Sequence, residues 1–374
     1  MIRQKAGGAV PQVCEKMRHR IRSGEWTPGM RLPTTRELAK EYEVSLVTMS
    51  RGIGCLKNEG LLSAASGSGI FVAYPAAPEA TGKKGQRLQF AAFVDNWRQR
   101  RNSPDGSLLD YFQHLFDDLM PGIQKRSREL GIETSLHLIP AGLYDNPKEY
   151  RAFLLDCAKD ADGVLAVNVD GFRPVTETFD VPVVFLHCGT YGPEAFRYNV
   201  VVPDFYTGAF AMTTHLVERG YRRIGCVEGV SGDQSYLQRL NGFRDALTAA
   251  GKTVDERLRF HCNENFYEMA EVANQVLALP PEERPDALFC VNDQRAIILL
   301  ETFRRRGIRV PEEIALAGFD GSEAAALHRL TTVPQPLLEM GVRGVDTLLM
   351  LLDHRDVSPL LQLMYRPPVI GETT

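Results

Sequence analysis

Thr34, Thr35 and Arg36, followed by Ser45, Leu46, Val47, Thr48, Ser50 and Arg51, put hydroxyls, guanidinium groups and two aliphatic side chains into one short stretch. Hydroxyls and arginines at helix starts are partners for phosphate. Side chains on an outward helix face can reach base edges in a groove. Elsewhere, His187 beside Cys188 suggests a nucleophile and its base. Neighbours on a strand point to opposite faces, so these two are not expected to pair for catalysis. No HExxH, P-loop or GxSxG occurs. Gly67–Ser68–Gly69 is too short for a dinucleotide fingerprint, because the third glycine of GxGxxG would fall at Val72. The 7 cysteines are widely spaced with no CxxC. They read as reduced, mostly buried thiols rather than zinc ligands or a disulfide framework. No catalytic residue, metal or cofactor is expected.

The elements that must position these residues follow from periodicity. Val10, Val13, Cys14, Met17 and Ile21 fall at helical spacing. Gly24 to Gly29 break that helix. Thr34 to Glu37 form a capping box for a second, short helix containing Leu38, Ala39 and Tyr42. Val44–Ser45 turns the chain, Ser45 caps a third helix, and Met49, Ile53 and Leu56 give it a buried face. Leu61–Leu62 and Ile70–Phe71–Val72 read as a hairpin around Gly67–Ser68–Gly69. The second and third helices fit a helix-turn-helix, with Leu46, Val47, Ser50, Arg51 and Gly54 outward and the hairpin as a wing. On spacing alone, a three-helix bundle with a basic face fits as well.

The chain has 374 residues, enough for two or three domains. Its 44% hydrophobic and 24% charged residues exclude a disordered chain, a collagen or a coiled-coil rod. No apolar run is long enough to span a membrane. The start, MIRQKAGGAV, has no signal core, so a cytoplasmic protein is expected. The net charge of −4 hides an asymmetry. Residues 1–75 hold 11 Lys and Arg against 6 Asp and Glu, whereas the rest holds 32 against 41. A basic head on an acidic body suggests that the head meets a polyanion.

Residues 1–74 are therefore read as one domain, and 75–87 (PAAPEATGKKGQR before the next strand) as a linker. From 88 to 374, strands expected at 88–94, 134–139, 163–167, 181–186, 223–228, 287–291 and 314–318 alternate with helices. The helices are expected at 108–130, 147–159, 207–219, 236–250, 267–279 and 294–306. That is the pattern of parallel βαβ units, and the length suits two doubly wound lobes. Residues 95–107 read as a long polar loop.

The head resembles the winged-helix domain of the GntR family of bacterial regulators. The resemblance rests on Pro28–Gly29, Leu32–Pro33, Arg36–Glu37–Leu38–Ala39, Val44–Ser45, Thr48, Glu59–Gly60–Leu61 and Gly67–Ser68–Gly69 with Phe71–Val72. It implies double-stranded operator DNA as a partner, contacted by Thr34, Thr35, Arg36, Ser45, Leu46, Val47, Thr48, Ser50, Arg51, Gly67, Ser68 and Gly69. The chain departs from the family pattern in having Leu46 and Ser50 where arginines are usual. Arg36 and Arg51 are left as the main cationic contacts, and Leu46 and Val47 can pack on thymine methyls.

The body resembles the effector-binding core of the LacI family, built like a type I periplasmic sugar-binding protein. The matching residues include Ala161–Asp162–Gly163–Val164, Val181–Pro182–Val183–Val184, Gly220–Tyr221–Arg222–Arg223–Ile224 and Arg239–Leu240–Asn241–Gly242–Phe243. Pro285–Asp286–Ala287, Asn292–Asp293, Gly318–Phe319–Asp320 and Leu330–Thr331–Thr332–Val333 complete the match. Before residue 160 it is poor. The combination is similar to the arabinose-repressor group. It implies two α/β lobes, with crossovers near 217–221, 319–330 and 353–358, and a ligand cleft between them. By the same resemblance, Arg239 is the planar donor and Asp320 the acceptor for vicinal hydroxyls, and Asn292 serves as both. Asp204 sits on the lobe boundary, Gln335 reaches from a crossing strand and Phe266 takes the stacking place. Phe205, where Asn is often found, shapes the ligand, Asp293 caps the next helix, and Asp95 and Asn96 line the mouth.

The fold class read from all this is α/β, an N-terminal winged helix-turn-helix plus a two-lobed, doubly wound periplasmic-binding-protein-like domain. The function expected is a bacterial DNA-binding transcription regulator, a repressor. It acts as a homodimer under a small polar effector such as a sugar, with no membrane partner. The alternative is a sugar- or nucleoside-processing enzyme with a DNA-binding head.

Overall fold

The computed structural model describes residues 9–22, 26, 32–58, 62–65, 69–72, 89–95, 109–140, 142–167, 175–187, 197–229, 234–262, 266–354 and 360–374. The 75–87 linker, most of the 95–107 loop, Asn96, Gly67, Ser68 and Cys188 lie outside them. The chain divides into two units, Met1–Pro78 and Glu79–Thr374.

In the first unit, α1 (Ala9–Arg22), α2 (Thr35–Glu41) and α3 (Leu46–Asn58) precede the antiparallel pair β1 (Leu62–Ala65) and β2 (Gly69–Val72). The apolar spacing sets the packing. Val13, Cys14 and Met17 meet Leu38, Met49, Ile53 and Leu56 in one core with Trp26, Leu62 and Val72. The Arg20 guanidinium lies 4.2 Å over the Trp26 ring and also pairs with Glu41. Thr34 and Glu37 form the reciprocal capping box that starts α2. Glu43, at φ 53°, turns the chain, and Ser45 Oγ accepts the Thr48 N–H at 3.1 Å to start α3.

The second unit carries two wholly parallel sheets. The larger has six strands in the order β12-β7-β6-β5-β3-β4. These are β3 (Gln89–Asp95), β4 (Glu133–Ile139), β5 (Gly163–Val167), β6 (Val183–Leu186), β7 (Val200–Pro203) and β12 (Leu361–Met364). The smaller runs β11-β10-β8-β9, from β8 (Ile224–Glu228), β9 (Arg259–His261), β10 (Ala287–Cys290) and β11 (Ala315–Ala317). Strands buried on both faces need continuous apolar sequence, and β5, β6, β7, β8, β10 and β11 are buried at every residue. Phe90 and Ala92 face one core, Ala91 and Phe93 the other.

The helices that cover the larger sheet are α4 (Leu109–Leu130), α5 (Pro147–Cys157) and, returning late in sequence, α11 (Leu337–Asp353). The smaller sheet is covered by α6 (Phe205–Glu218), α7 (Gln234–Ala249), α8 (Phe266–Ala278) and α9 (Asp293–Arg305), with the short α10 (Glu323–Leu327) beyond. Three elements exceed the sequence reading of strands, namely β7, β9 and β12, and among the helices α10 and α11 do so too. The first three are only three or four residues long. In α11, Gly341 and Gly344 interrupt the helical pattern.

The chain crosses between lobes at 203–205, 334–337 and 364–369, not near 217–221, 319–330 and 353–358. Helix α6 already packs on α7 of the smaller lobe. Residues 331–334 bridge in parallel beside β11 and its exit, so they too belong there. Strand β12 pairs with β7, after which Val369 bonds Thr332 and Thr373 bonds Leu316. Of the cysteines, Cys14, Cys226, Cys262 and Cys290 are buried and Cys55 is exposed.

Candidate functional site

Four residues from separate elements meet where the chain crosses between the lobes of the second unit. Arg239 lies in α7, Asp320 follows β11, Gln335 leads into α11 and His187 follows β6. All four are buried. Arg239 Nη2 stands 3.1 Å from Asp320 Oδ1. Gln335 Nε2 donates to the same oxygen at 2.7 Å, and Gln335 Oε1 lies 2.8 Å from His187 Nε2. The result is a polar chain running from the larger lobe, through a crossing strand, into the smaller.

Its surroundings are aromatic and backbone. The Arg239 guanidinium lies 4.4 Å over Phe205 and 4.1 Å over Phe319. Its Nη1 donates to the Val291 carbonyl, and its Nε has no hydrogen-bond acceptor among the described residues. Phe205 is thus a buried platform under Arg239. The backbone is strained at both ends: Asp320 has φ 125° and His187 φ 50°. Such conformations persist only where surrounding contacts impose them, and they gather at ligand and switch sites.

Asn292 is the N-cap of α9 and accepts the Arg295 N–H at 3.0 Å. Asp293 does not cap that helix. Its carboxylate accepts from Ser322 N–H at 2.8 Å, Ser322 Oγ at 3.0 Å and Thr332 Oγ1 at 2.5 Å. It therefore clamps the loop that carries Asp320 to the strand that leads to Gln335. Burial, and then the nearby Asp320 charge, push the Asp293 carboxyl up to about 7. Asp204 caps α6 through the Thr207 N–H at 2.9 Å, and burial raises its pKa. Asp95 ends β3 and Phe266 begins α8.

The structure thus brings Arg239, Asp320, Gln335 and Phe205 together. Asn292 adjoins Val291, whose carbonyl accepts from Arg239, and Asp204 caps its own helix while its backbone N–H donates to the Met364 carbonyl at 2.7 Å. The sequence pattern does not mark His187, Phe319, Asp293 or Tyr236, whose ring lies 5.6 Å from the Arg239 guanidinium, as members of this cluster. In the sequence His187 stands out only as a neighbour of Cys188. Its position directly after a strand, like that of Asp320, was the available signal.

In the first unit, Thr34, Arg36, Ser45, Leu46, Val47, Ser50 and Arg51 are exposed, and Thr35 and Thr48 half-buried. All lie at the start of α2 or along the first two turns of α3. Gly69 begins β2. Among the described residues, no group of three or more His, Cys, Asp or Glu is placed to hold a metal, and no helix is long and apolar enough to cross a membrane.

Residues 10–72 match the family model described as bacterial regulatory proteins, gntR family. Residues 213–374 match the periplasmic binding protein-like domain. The chain joins a GntR-family head to a periplasmic-binding-protein-like body. It is similar to the arabinose metabolism transcriptional repressor of Geobacillus stearothermophilus, at 28% identity over 94% of this chain and 93% of that one. It is also similar to the transcriptional regulator DegA of Bacillus subtilis (28%, 82% and 88%) and the repressor PurR of Vibrio atlanticus (29%, 70% and 77%). Among solved structures, a CelR–cellobiose complex superposes with a TM-score of 0.61 at 22% identity, covering 92% of this chain and all of that one (100%). The lac repressor dimer bound to operator and an anti-inducer gives 0.59 at 20% identity, covering 78% and 95%. These likenesses agree on the fold of the body. The GntR-headed chain is a transcription regulator.

Proposed function

We propose that this GntR-headed regulator is a cytoplasmic repressor that binds a two-fold operator as a homodimer and is released from it by a small sugar. The ligand sits between the lobes of the body, on Arg239, Asp320, Asn292 and Gln335, with Asp204, Phe205, Phe266, Asp95 and Asn96 around it. The observation that carries this reading is the buried Arg239–Asp320 pair at the lobe crossing, held at φ 125° on Asp320. A buried ion pair adds little stability compared with apolar packing, and the strained backbone subtracts from it. Both make sense as ligand machinery, since an arginine fork and a carboxylate match vicinal hydroxyls. A relative named for arabinose and a fold neighbour carrying cellobiose support a sugar.

Sugar binding draws the lobes together, and the altered body changes the spacing of the paired heads. The coupling expected is about 1–3 kcal/mol. In the head, Thr34, Thr35, Ser45 and Thr48 with Arg36 and Arg51 hold phosphates, Leu46, Val47 and Ser50 face the bases, and Gly67, Ser68 and Gly69 add further DNA contacts.

A thermal-shift screen of the full chain against arabinose, cellobiose, other pentoses and hexoses, nucleosides and purines tests the sensor. A ligand at 100 times its Kd adds about 2.7 kcal/mol, a shift of a few degrees. Asp320→Asn, which keeps shape but loses charge, is expected to abolish the shift while leaving a cooperative unfolding transition. A hit recovered chemically unchanged after long incubation supports a sensor over an enzyme. A hit that leaves affinity for a selected DNA duplex unaltered sinks the coupling.

A further inference from the structure

The outward side of α3 combines features that the packing of the head does not explain. Met49, Gly52, Ile53 and Leu56 form its buried face. On the opposite side lie Val47, Arg51 and Gly54, flanked by Leu46 and Ser50. Val47 is 62% exposed and Leu46 50%, and the core of the head closes without either. The nearby hydroxyls are engaged with the helix cap: Ser45 Oγ and Thr48 Oγ1 lie 2.8 Å apart, and Ser45 Oγ also takes the Thr48 N–H. The first turn of the helix therefore presents aliphatic carbon outward rather than donors. Gly54 adds a second observation. A Cβ there would meet nothing within 4 Å, whereas one at Gly52 would meet Val13 Cγ1 at 3.0 Å. Packing accounts for the glycine at 52 but not for the one at 54, and glycine is a poor helix former. Bare helix backbone suits a face that another body approaches closely.

We infer that Leu46 and Val47 read the C5-methyl groups of thymine, and that the operator carries thymine where they enter the major groove. This rests on the DNA-binding reading of the head. The major groove offers one apolar group on its unmodified base edges, the thymine methyl; its other features are donors and acceptors. An aliphatic side chain against those would strand them without partners. The N-terminal residues of a recognition helix are the ones that meet base edges. Arg51, one turn beyond Val47, and the exposed Arg36 supply cations for the flanking phosphates. The surplus of basic residues in 1–75 complements the same partner.

The probe is a duplex selected by the full chain from a random-sequence pool, then resynthesised with deoxyuridine replacing thymine one position at a time. Uracil pairs identically and lacks only the methyl. Affinity is read by fluorescence anisotropy at fixed salt. At one or two positions in each half-site, the replacement is expected to weaken binding about fourfold per methyl. Leu46→Ala and Val47→Ala, at exposed sites where alanine keeps the helix, are expected to lose the preference for thymine over uracil. Equal affinity for thymine and uracil duplexes at every position overturns methyl reading while leaving DNA binding intact. Failure to enrich any duplex overturns both.

Discussion

Gln335 donates its amide N–H to Asp320 at 2.7 Å, and this one bond sets the polarity of the whole buried chain. Asp320, ionised beside Arg239, can only accept. Gln335 must therefore turn its NH2 toward Asp320 and its carbonyl toward His187. His187 in turn must carry its proton on Nε2 to donate across the 2.8 Å contact. The charge on Arg239 in the smaller lobe thus fixes the tautomer of a histidine in the larger.

Gln335→Glu puts a second carboxylate against Asp320 in a buried site and reverses that polarity. The unfolding free energy is expected to fall by about 2–4 kcal/mol, read by chemical denaturation at neutral pH. Gln335→Met removes both bonds without adding charge and is expected to cost less. Equal costs for the two variants would contradict an ionised Asp320.

Arg239→Met leaves Asp320 buried without its cation, which is expected to cost about 3–5 kcal/mol. Adding Asp320→Asn to it removes the stranded charge, so the double variant should be more stable than Arg239→Met alone. A double-mutant cycle by denaturant unfolding reads the coupling directly. Additive costs would mean that the 3.1 Å pair contributes no interaction energy.

Asp293 gives a pH dependence whose sign can be worked out. Its folded pKa, about 7, lies above its ordinary value of 3.8, so the folded chain binds the proton more tightly than the unfolded one. The contribution is full below the unfolded value and is lost as pH rises through the folded one, with a slope of at most about 1.4 kcal/mol per pH unit. His215, lowered by burial, acts in the opposite sense below its ordinary value. Comparison of the full chain with Asp293→Asn isolates the aspartate. Between pH 5 and 7, on the order of the window these values set, Tm of the unaltered chain is expected to fall relative to that of the variant. Parallel Tm curves would show that Asp293 is ionised throughout.

Much of this architecture could be read from sequence because it is periodic. The runs at 163–167 and 287–291 are apolar enough to be strands buried on both faces, and Val13, Met17, Leu38, Met49 and Ile53 mark the helices of the head. Strands such as Val200–Pro203 and Leu361–Met364 are too short to show a period, and their place in the sheet is set by partners distant in sequence. The lobe crossings are hidden for the same reason: which sheet Thr331 to Pro334 joins depends on β11, not on its own residues. At the site, Arg239 and Asp320 were marked by resemblance, but their pairing with each other was not legible. Nor was the role of His187, because the φ of 50° that turns it toward Gln335 comes from the surrounding fold. Asp293 stands next to the N-cap Asn292, where the sequence pattern alone suggests that it caps its own helix. Its three acceptor bonds instead reach Ser322 and Thr332 in the loop and strand beyond β11.

Two glycine substitutions should move stability in opposite directions. Gly54 occupies the outward face of α3, where an added methyl meets nothing within 4 Å. Gly54→Ala is therefore expected to raise the stability of the head by about 1 kcal/mol, the helix-propensity difference alone. The same change should weaken DNA binding if the duplex lies close against that backbone. Gly341 is the reverse case. It sits where α11 crosses α4 backbone to backbone, and an added Cβ would come within 2.2 Å of the Leu119 carbonyl oxygen and 2.7 Å of the Ile123 nitrogen. A Cβ added to Gly122 on α4 would likewise come within 2.1 Å of the Leu338 carbonyl oxygen. No side chain can yield there, so the helices must separate, prising Met340 and Leu348 from Leu119 and Ile123 in the shared core. Overpacking of this kind costs about 1–3 kcal/mol when side chains can adjust, and more when backbone must move. Gly341→Ala is expected to exceed that range, measured by denaturant unfolding. A Gly341→Ala chain as stable as its parent would mean that α4 and α11 do not make this close crossing.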